Sequence, residues 1–283
     1  MSPLPRLSPS SLPFLGAGLG YRRSLHDVLA KRRKEVGFLE VMPEHVVEGT
    51  EESRNALLRL AAAMPVVTHS VSLSVGTATG ADLAFAAKMH EVSERLQAAW
   101  ASDHLCYTKV GDRHIGQLTP IPYTAEALKV VVANTKATMA AMPGRPFLLE
   151  NISQYFQFEG ADYSEPEFFT EVAKRTGCGV LLDVTNLHNN ATNLGLDPAA
   201  YLDGFPLESV VQMHLAGSEW VGGKLLDTHG GPVLEPVWDL MARVVEQSNA
   251  RAALVERDQT FELGDLFAEV KRANRIFAKA RRA

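Results

Sequence analysis

Seven potential metal ligands lie at or just after the ends of short apolar segments of this chain. Their ligating atoms are histidine nitrogens and carboxylate oxygens, a set that suits zinc, manganese or non-haem iron better than Cu(I) or an iron–sulfur cluster. Carboxylates can bridge two ions, and Glu150 lies near the middle of the series. The pattern therefore predicts a cluster of metal ions. The seven residues are His69, His104, Glu150, Asp183, His214, His229 and Glu256.

Each of these residues alone also has an ordinary structural interpretation. A single histidine at a strand end is usually structural, and Asp183 or Glu256 alone could cap a helix or pair with a cation. The triplet from Asp227 to His229 is a weak motif by itself. The metal site is favoured because all of them occupy corresponding positions of successive strand–helix units, with Asn186 and Asp227 extending the ligand set. The remaining histidines are interpreted as surface or loop residues: His26, His45, His90 and His114.

Length and composition fit one ordinary globular domain. The chain has 283 residues, of which 46% are hydrophobic and 22% are charged, and α/β barrels commonly have about 250 residues. The net charge of −5 argues against a nucleic-acid binder, which usually carries a basic surface. Because Cys106 and Cys178 are too few for a disulfide framework, a reducing, cytoplasmic setting is expected. No apolar stretch approaches the ~20 residues of a membrane span.

Short strand-like segments alternate with longer amphipathic helical segments from start to finish, which is typical of a parallel sheet with crossover helices. Eight such units in one domain predict an α/β fold of the (β/α)8 TIM-barrel type, in which the carboxyl ends of all strands meet at one mouth. The eight predicted strands are Phe14–Leu19, Gly37–Val41, Pro65–Ser70, Trp100–Leu105, Phe147–Glu150, Val180–Asp183, Val210–Leu215 and Ala253–Glu256.

The barrel is expected to occupy residues 14–283 as a single catalytic domain, after a flexible Pro- and Ser-rich tail over residues 1–13. Two connections are longer than a barrel requires, residues 106–123 and 216–231. Both follow strands, where barrel enzymes carry their chemistry, and both are candidates for substrate binding. Five polar residues near the predicted mouth are candidates for hydrogen bonds to ligands, for substrate contacts or for structural ion pairs: Arg22, Glu44, Asp103, Asn151 and Asp258.

The chain resembles the multinuclear non-haem iron-dependent oxidative enzymes, a family formerly classed as a domain of unknown function that includes methanobactin-oxidase-like proteins. The resemblance runs from Gly16 to about Asp258. The matching segments, in chain order, are GAGLGYR, FLEVMPEH, THSVSLSVG, SDHL, LLENIS, LLDVTNLHNNATN, HLAG, DTHG and ERD. It implies a TIM barrel with two or three iron ions, mixed Fe(II) and Fe(III), that use O2 as co-substrate.

Residue by residue, the resemblance implies three metal positions. His69 and His104 would bind one iron, and Glu150 would bridge to the next. The second iron would also have Asp183, His214 and Glu256 as ligands. Asp227 and His229 would hold the third, assisted by Asn186 where related metal barrels have a histidine, with His188 as a possible additional ligand.

The resemblance also implies a substrate and a partner. Family members oxidise residues of ribosomally made precursor peptides, most often cysteine, and are usually guided by a separate peptide-recognition protein. The alternative is a zinc- or manganese-dependent TIM-barrel hydrolase or isomerase, of the endonuclease or sugar-isomerase type, because the ligand order alone permits it. The acidic net charge argues against the endonuclease, and the lack of a lysine at a strand end in the ligand series argues against the isomerase.

Overall fold

The fold is a closed barrel of eight parallel strands, as the sequence predicts. The computed structural model describes residues 7–111, 113–258 and 262–282. Each predicted strand is present with ends within two residues of the prediction. Neighbours in the barrel follow the order of the chain, and the last strand pairs with the first. The barrel strands are β1 (Gly16–Gly20), β2 (Leu39–Val41), β3 (Val66–Ser70), β4 (Ala101–His104), β7 (Phe147–Glu150), β8 (Gly179–Asp183), β9 (Val210–Leu215) and β12 (Ala252–Val255).

The helices between the strands pack their apolar faces on the outside of the barrel. Several begin at a side chain that accepts a hydrogen bond from the first turn, as Thr50, Asp82, Thr124 and Ser164 do. The helices are α1 (His26–Arg32), α2 (Pro43–Glu48), α3 (Glu51–Ala61), α4 (Leu83–Arg95), α5 (Ala125–Ala141), α6 (Glu165–Thr176), α7 (Val184–Asn193), α8 (Pro198–Asp203), α9 (Glu235–Gln247) and α10 (Leu263–Ala280). None of those in the described residues is both long and apolar enough to cross a membrane.

Each of the two long connections, predicted only as loops that are candidates for substrate binding, folds into an antiparallel hairpin. The first contains β5 (Tyr107–Val110) and β6 (Arg113–Thr119), and the second contains β10 (Ser218–Val221) and β11 (Lys224–Asp227). Two adjacent glycines with positive φ, Gly222 and Gly223, make the turn of the second hairpin. Because both hairpins follow barrel strands, they extend from the mouth.

Successive residues of each barrel strand face alternately the surrounding helices and the interior of the barrel, which gives an outer and an inner set. Outer residues such as Leu149 and Leu182 join the main core between strands and helices. Inner residues form a second apolar cluster across the barrel, and in several strands a metal-ligand candidate follows two positions later. Val67 precedes His69 and Leu148 precedes Glu150 in this way. Since residues two apart face the same side of a strand, the inner ligands are stacked above an apolar layer.

The start of the chain closes the bottom of the barrel. Leu12 is buried and joins the inner apolar cluster, with Leu7 packed beside it. The Leu7 N–H donates to the Gly177 carbonyl at 3.1 Å, and Arg251 donates to the Leu12 carbonyl at 2.7 and 2.9 Å. Leu7 and Leu12 of the predicted flexible tail therefore cover apolar surface at the bottom of the barrel, and the flexibility of residues 1–13 stays a prediction. Residues 1–6 lie outside the described residues.

Trp100 is the largest side chain of the inner layer, and its replacement by alanine should destabilise the barrel. It is fully buried, and its indole N–H donates to the Gln212 side chain at 2.6 Å. Large-to-small core changes of this kind cost about 3–5 kcal/mol. Chemical denaturation of Trp100→Ala should show this loss in the free energy of unfolding. The matched control is Trp220→Ala, at a residue that is 65% exposed; an equal loss in the control would contradict the assignment.

Candidate metal centre

The mouth of the barrel contains a cavity of about 340 Å³ lined by every residue of the predicted ligand set except His188. Most of these side chains are buried, with Glu150 and Asp183 only 2% and 1% exposed. They come from different strands, from the start of α7 and from the second hairpin, so the closed sheet brings together residues that are far apart in sequence. The nine predicted ligands that line the cavity are His69, His104, Glu150, Asp183, Asn186, His214, Asp227, His229 and Glu256.

Two histidines and one carboxylate converge on a common point at one side of the cavity. The Nε2 atoms of His69 and His104 are 3.3 Å apart. Glu150 Oε2 lies 3.1 Å from the first and 3.3 Å from the second. Their other ring nitrogens face protein atoms, the Ser102 hydroxyl for His69 and the Ser70 carbonyl for His104. This orientation leaves both Nε2 atoms facing the same point, as at a metal site.

The second carboxylate oxygen of Glu150 faces a different group. His214 Nδ1 lies 3.0 Å from Glu150 Oε1 and 3.3 Å from Glu256 Oε2. Asp183 also belongs to this group, since its ligating oxygen lies within 4.8 Å of those of Glu150 and His214. Glu150 therefore links the two groups, as a bridging carboxylate would. Asp183 has a structural role as well, because one of its oxygens accepts the Asn186 N–H at the start of α7.

A third, more open group lies at the end of the second hairpin. His229 Nε2 is 2.9 Å from Asp227 Oδ2, and its Nδ1 is 3.1 Å from Asp258 Oδ2. Asn186 lines the same cavity, but its side-chain oxygen accepts a hydrogen bond from Ser153 and its amide donates to the Asn151 carbonyl. Asn186 is thus tied to the neighbouring loop. Both ring nitrogens of His229 face carboxylates, and Asp227 Oδ1 is buried without a hydrogen-bond partner among the described residues.

The buried charges of the cavity compensate one another. Burial alone would lower the pKa of His104, but Glu150 and Asp103 raise it to about 9. Burial would also raise the pKa of Glu150, and its three histidine neighbours hold it well below the ordinary value. His229 has a raised pKa despite its burial, because Glu256 and other carboxylates surround it. Positive charge is therefore required among these carboxylates, and either protons or metal ions can supply it.

The residues fit metal ions on two observations. The donor set is nitrogen and oxygen only, and three combinations of its atoms lie close enough to share an ion: His69 with His104 and Glu150, Glu150 with Asp183 and His214, and Glu40 with His69 and His214. In addition, Glu150 Oε2 and Asp227 Oδ1 are buried without a hydrogen-bond partner among the described residues. Buried polar atoms are normally partnered, and an ion is a standard explanation for an exception. The buried clusters could therefore hold metal ions.

Glu40 belongs to the cavity and was missed by the sequence reasoning. Its Oε2 lies 3.0 Å from His214 Nε2 and accepts a hydrogen bond from Gln212 at 2.5 Å. Glu40 thus contacts Nε2 of His214, whereas Glu150 faces Nδ1 of the same ring. Its position in the sequence could have indicated this. Glu40 is a charged residue within the apolar segment FLEV, and it lies two residues after Phe38, on the same inner side of the strand.

Of the five other polar residues predicted near the mouth, two line the cavity and three lie outside its lining. Arg22 and Asp258 line the cavity and form an ion pair at 2.5 Å. Asn151 exchanges hydrogen bonds with the backbone of Asp183 at 2.8 and 2.9 Å. Asp103 and Glu44 accept backbone N–H groups of the segment after β3, from Leu73 and Val71 respectively. Asn151, Asp103 and Glu44 therefore position the site from outside the cavity.

The histidines predicted to lie outside the ligand set do not line the cavity. His45 and His114 line other surface depressions. His188 also lies outside the cavity lining, on α7, and burial lowers its pKa. Its neighbours on α7 hold the mouth loops instead: Asn190 bonds the backbone of Ile152 and Gln154, and Asn193 bonds that of Leu225.

The fold and the cavity define a TIM-barrel protein with a candidate metal centre at the mouth. The family described as RiPP precursor modification enzyme MbnB/TglH/ChrH matches residues 16–278. The chain therefore belongs to that family of modification enzymes. It is 38% identical over 272 residues to a UPF0276 protein of Caulobacter vibrioides, covering 95% of this chain and 97% of the relative. A UPF0276 protein of Chromobacterium violaceum is 35% identical over 275 residues, covering 97% and 99%.

Solved structures with the same fold are much less similar in sequence. The probable 3-DHS dehydratase involved in petrobactin synthesis from Bacillus anthracis has a TM-score of 0.60 at 12% identity, covering 90% of this chain and 97% of its own. A xylose isomerase domain-containing protein from Salmonella typhimurium has a TM-score of 0.59 at 10% identity, covering 94% and 98%. These likenesses confirm the TIM-barrel fold and carry no argument about the reaction.

Glu150→Gln should weaken metal binding severely while the barrel stays folded, because the amide cannot bridge two groups as a carboxylate does. We expect the metal affinity to fall by about 100-fold or more, because replacing a residue that only hydrogen-bonds to a metal ligand already lowers the affinity by about 10- to 100-fold. Titration of the purified protein with Co(II) or Fe(II), with circular dichroism as the folding check, measures this. Glu208→Gln, at an exposed carboxylate outside the cavity, is the control. Equal affinities would contradict the assignment.

Glu40→Gln separates a ligand from a supporting residue. If Glu40 holds His214 through Nε2, the variant should bind the same number of metal ions at saturation, with affinity lowered by about 10- to 100-fold. Metal analysis at saturating and at limiting Fe(II) distinguishes the two cases. A lower number of bound ions at saturation would instead make Glu40 a ligand.

Proposed function

We propose that this protein is a multinuclear non-haem iron enzyme that uses O2 to oxidise a cysteine residue of a ribosomally made precursor peptide. The observation that carries the proposal is the cavity in which Glu150 links a two-histidine group to a carboxylate-rich group, in a chain of the precursor-modification family. Nitrogen and carboxylate ligands with open positions suit non-haem iron. O2 is the electron acceptor, and its reduction takes up the electrons and protons that leave the peptide.

The proposed ligands divide as the three groups do. His69, His104 and Glu150 would hold one iron, and Asp183, His214 and Glu256 would complete the second with Glu150. Asp227 and His229 would hold a third. Bound iron supplies Lewis acidity and the capacity to exchange electrons with O2 and the substrate.

The chain's own residues orient the substrate and the ligands. Arg22 is the one arginine or lysine among the described residues of the cavity lining, so its guanidinium is placed to bind an anionic group of the peptide. Asp258 contacts both Arg22 and His229 Nδ1, and it therefore fixes the ring orientation of His229. Leu118, Ile152 and Tyr155 also line the cavity and add apolar surface to its wall.

The proposal includes a separate protein that recognises the precursor peptide, and a cytoplasmic setting. Both free cysteines, Cys106 and Cys178, are buried and unpaired, which is compatible with a reducing compartment. The alternative of a zinc- or manganese-dependent hydrolase or isomerase uses the same kind of ligands. Its sugar-isomerase form is disfavoured because the described residues of the cavity lining include no lysine to polarise a sugar.

Anaerobic purification followed by metal analysis tests the choice of metal. We expect more than one iron per chain, because Glu150 joins two ligand groups within one cavity. His69→Ala should lose iron while keeping the barrel, since its stability rests on the packed interior. Stoichiometric zinc with no bound iron would contradict the oxidase proposal and favour the hydrolytic alternative.

Oxygen uptake tests the substrate. With iron-loaded protein and a cysteine-containing precursor peptide encoded beside its gene, O2 consumption should depend on the peptide. Replacing that cysteine of the peptide with serine should abolish the stimulated uptake, because serine does not supply a thiolate to the metal. Mass spectrometry of the peptide is the second readout. Full turnover of the serine peptide would refute a cysteine target.

A further inference from the structure

A second depression adjoins the metal cavity beneath the first hairpin. This hairpin groove has a volume of about 370 Å³ and is lined by Val71, Ser72, Thr108, His114, Gly116, Gln117 and Leu118. Val71, Gln117 and Leu118 also line the metal cavity. The two spaces therefore adjoin at these three residues, so a chain that passes over them would extend from the cavity into the groove.

An irregular strand lies where the two spaces adjoin. In the hairpin, Lys109 pairs with His114, but the register shifts before Tyr107 pairs with Thr119. The additional residues of β6 form a bulge, and Gly116 within it has a φ of +72°. Bulges redirect side chains relative to a regular strand. Here the bulge places Gln117 and Leu118 at both the groove and the cavity.

The opposite edge of the hairpin is fixed to the barrel. The Ser74 hydroxyl accepts the Thr108 and Lys109 N–H groups at 2.8 and 3.3 Å. Thr77 donates to the Lys109 carbonyl at 3.0 Å, and Lys109 pairs with Asp82 at 2.7 Å. The wall of the groove is thus held in place before a ligand arrives, which lowers the entropic cost of binding.

Thr108 provides an independent sign of a missing partner. It lines the groove and is 7% exposed, and its hydroxyl has no hydrogen-bond partner in the described part of the chain. Buried hydroxyls are normally bonded. A peptide group in the groove would supply a partner. Among the described residues, the lining includes no carboxylate, lysine or arginine, so this part of the groove suits an uncharged segment.

We propose that the hairpin groove binds the segment of the precursor peptide adjacent to the modified residue, in extended form. The proposal rests on the proposed function in one respect, that the substrate is a peptide. The modified side chain enters the metal cavity, and the neighbouring residues pass Val71 and Leu118 into the groove. Thr108 and Gln117 bind the peptide backbone there, so the groove favours small or apolar uncharged side chains without a strict sequence.

The test compares two probes on iron-loaded protein under anaerobic conditions, so that no turnover is needed. One probe is N-acetylcysteine amide, and the other is a fluorescein-labelled peptide with one cysteine flanked by several alanine and valine residues on each side. We expect the wild-type protein to bind the flanked peptide at least tenfold more tightly. Ser72→Trp should remove this advantage by filling the groove, and Thr108→Val should weaken the flanked peptide alone by roughly 2- to 10-fold.

Ile115→Trp is the matched control, since Ile115 is 42% exposed on the same hairpin and lines neither space. It should keep the wild-type advantage. Equal binding of both probes by the wild-type protein, or an unchanged advantage in Ser72→Trp and Thr108→Val, would overturn the groove proposal. Iron content and O2 uptake are measured in parallel. If the protein does not oxidise the peptide but still binds the flanked peptide more tightly than N-acetylcysteine amide, the result would contradict the proposed function and leave the groove proposal standing.

Discussion

The buried carboxylate of Glu150 among three histidines is the interaction on which the mouth of the barrel depends. Its two oxygens face separate groups, His69 and His104 on one side and His214 on the other. A carboxylate that is 2% exposed is stable only if positive charge surrounds it. The ligand groups are therefore electrostatically coupled, and a change at one of them alters the charge balance of the others.

The supporting structure holds these ligands in fixed orientations. Trp100 in the apolar layer bonds Gln212, Gln212 bonds Glu40, and Glu40 contacts His214. The packed interior of the barrel is thus connected to the cavity by a continuous chain of hydrogen bonds. Helix α7 has a similar role at the rim, because its asparagines bond the backbone of two mouth loops. Hydrogen bonds therefore support both the cavity and its rim.

Much of the fold and of the candidate site could be predicted because the signals are local. Eight buried strands appear as apolar segments, and most candidate ligands lie at or directly after the end of such a segment, as Glu150 follows FLL. The hairpins were not predicted, since β6 is exposed and bulged and lacks regular alternation. The packing of Leu7 and Leu12 was not predicted either, because isolated apolar residues in a Pro-rich segment form no helical or strand periodicity from which a buried face could be inferred.

The sequence by itself determined the barrel, the set of nitrogen and oxygen candidate ligands and their order along the chain, because strand periodicity and residue chemistry are properties of short segments. Only the tertiary structure decided how the ligands group. Val211 faces the interior of the barrel. Because successive residues of a regular strand face opposite sides, His214, three positions later, would then face outward. A register shift, in which Val180 pairs with Val210 but Leu181 with Gln212, turns His214 towards Glu150 instead. Such a shift depends on the pairing of neighbouring strands, and Glu40 likewise reaches His214 only when the sheet closes.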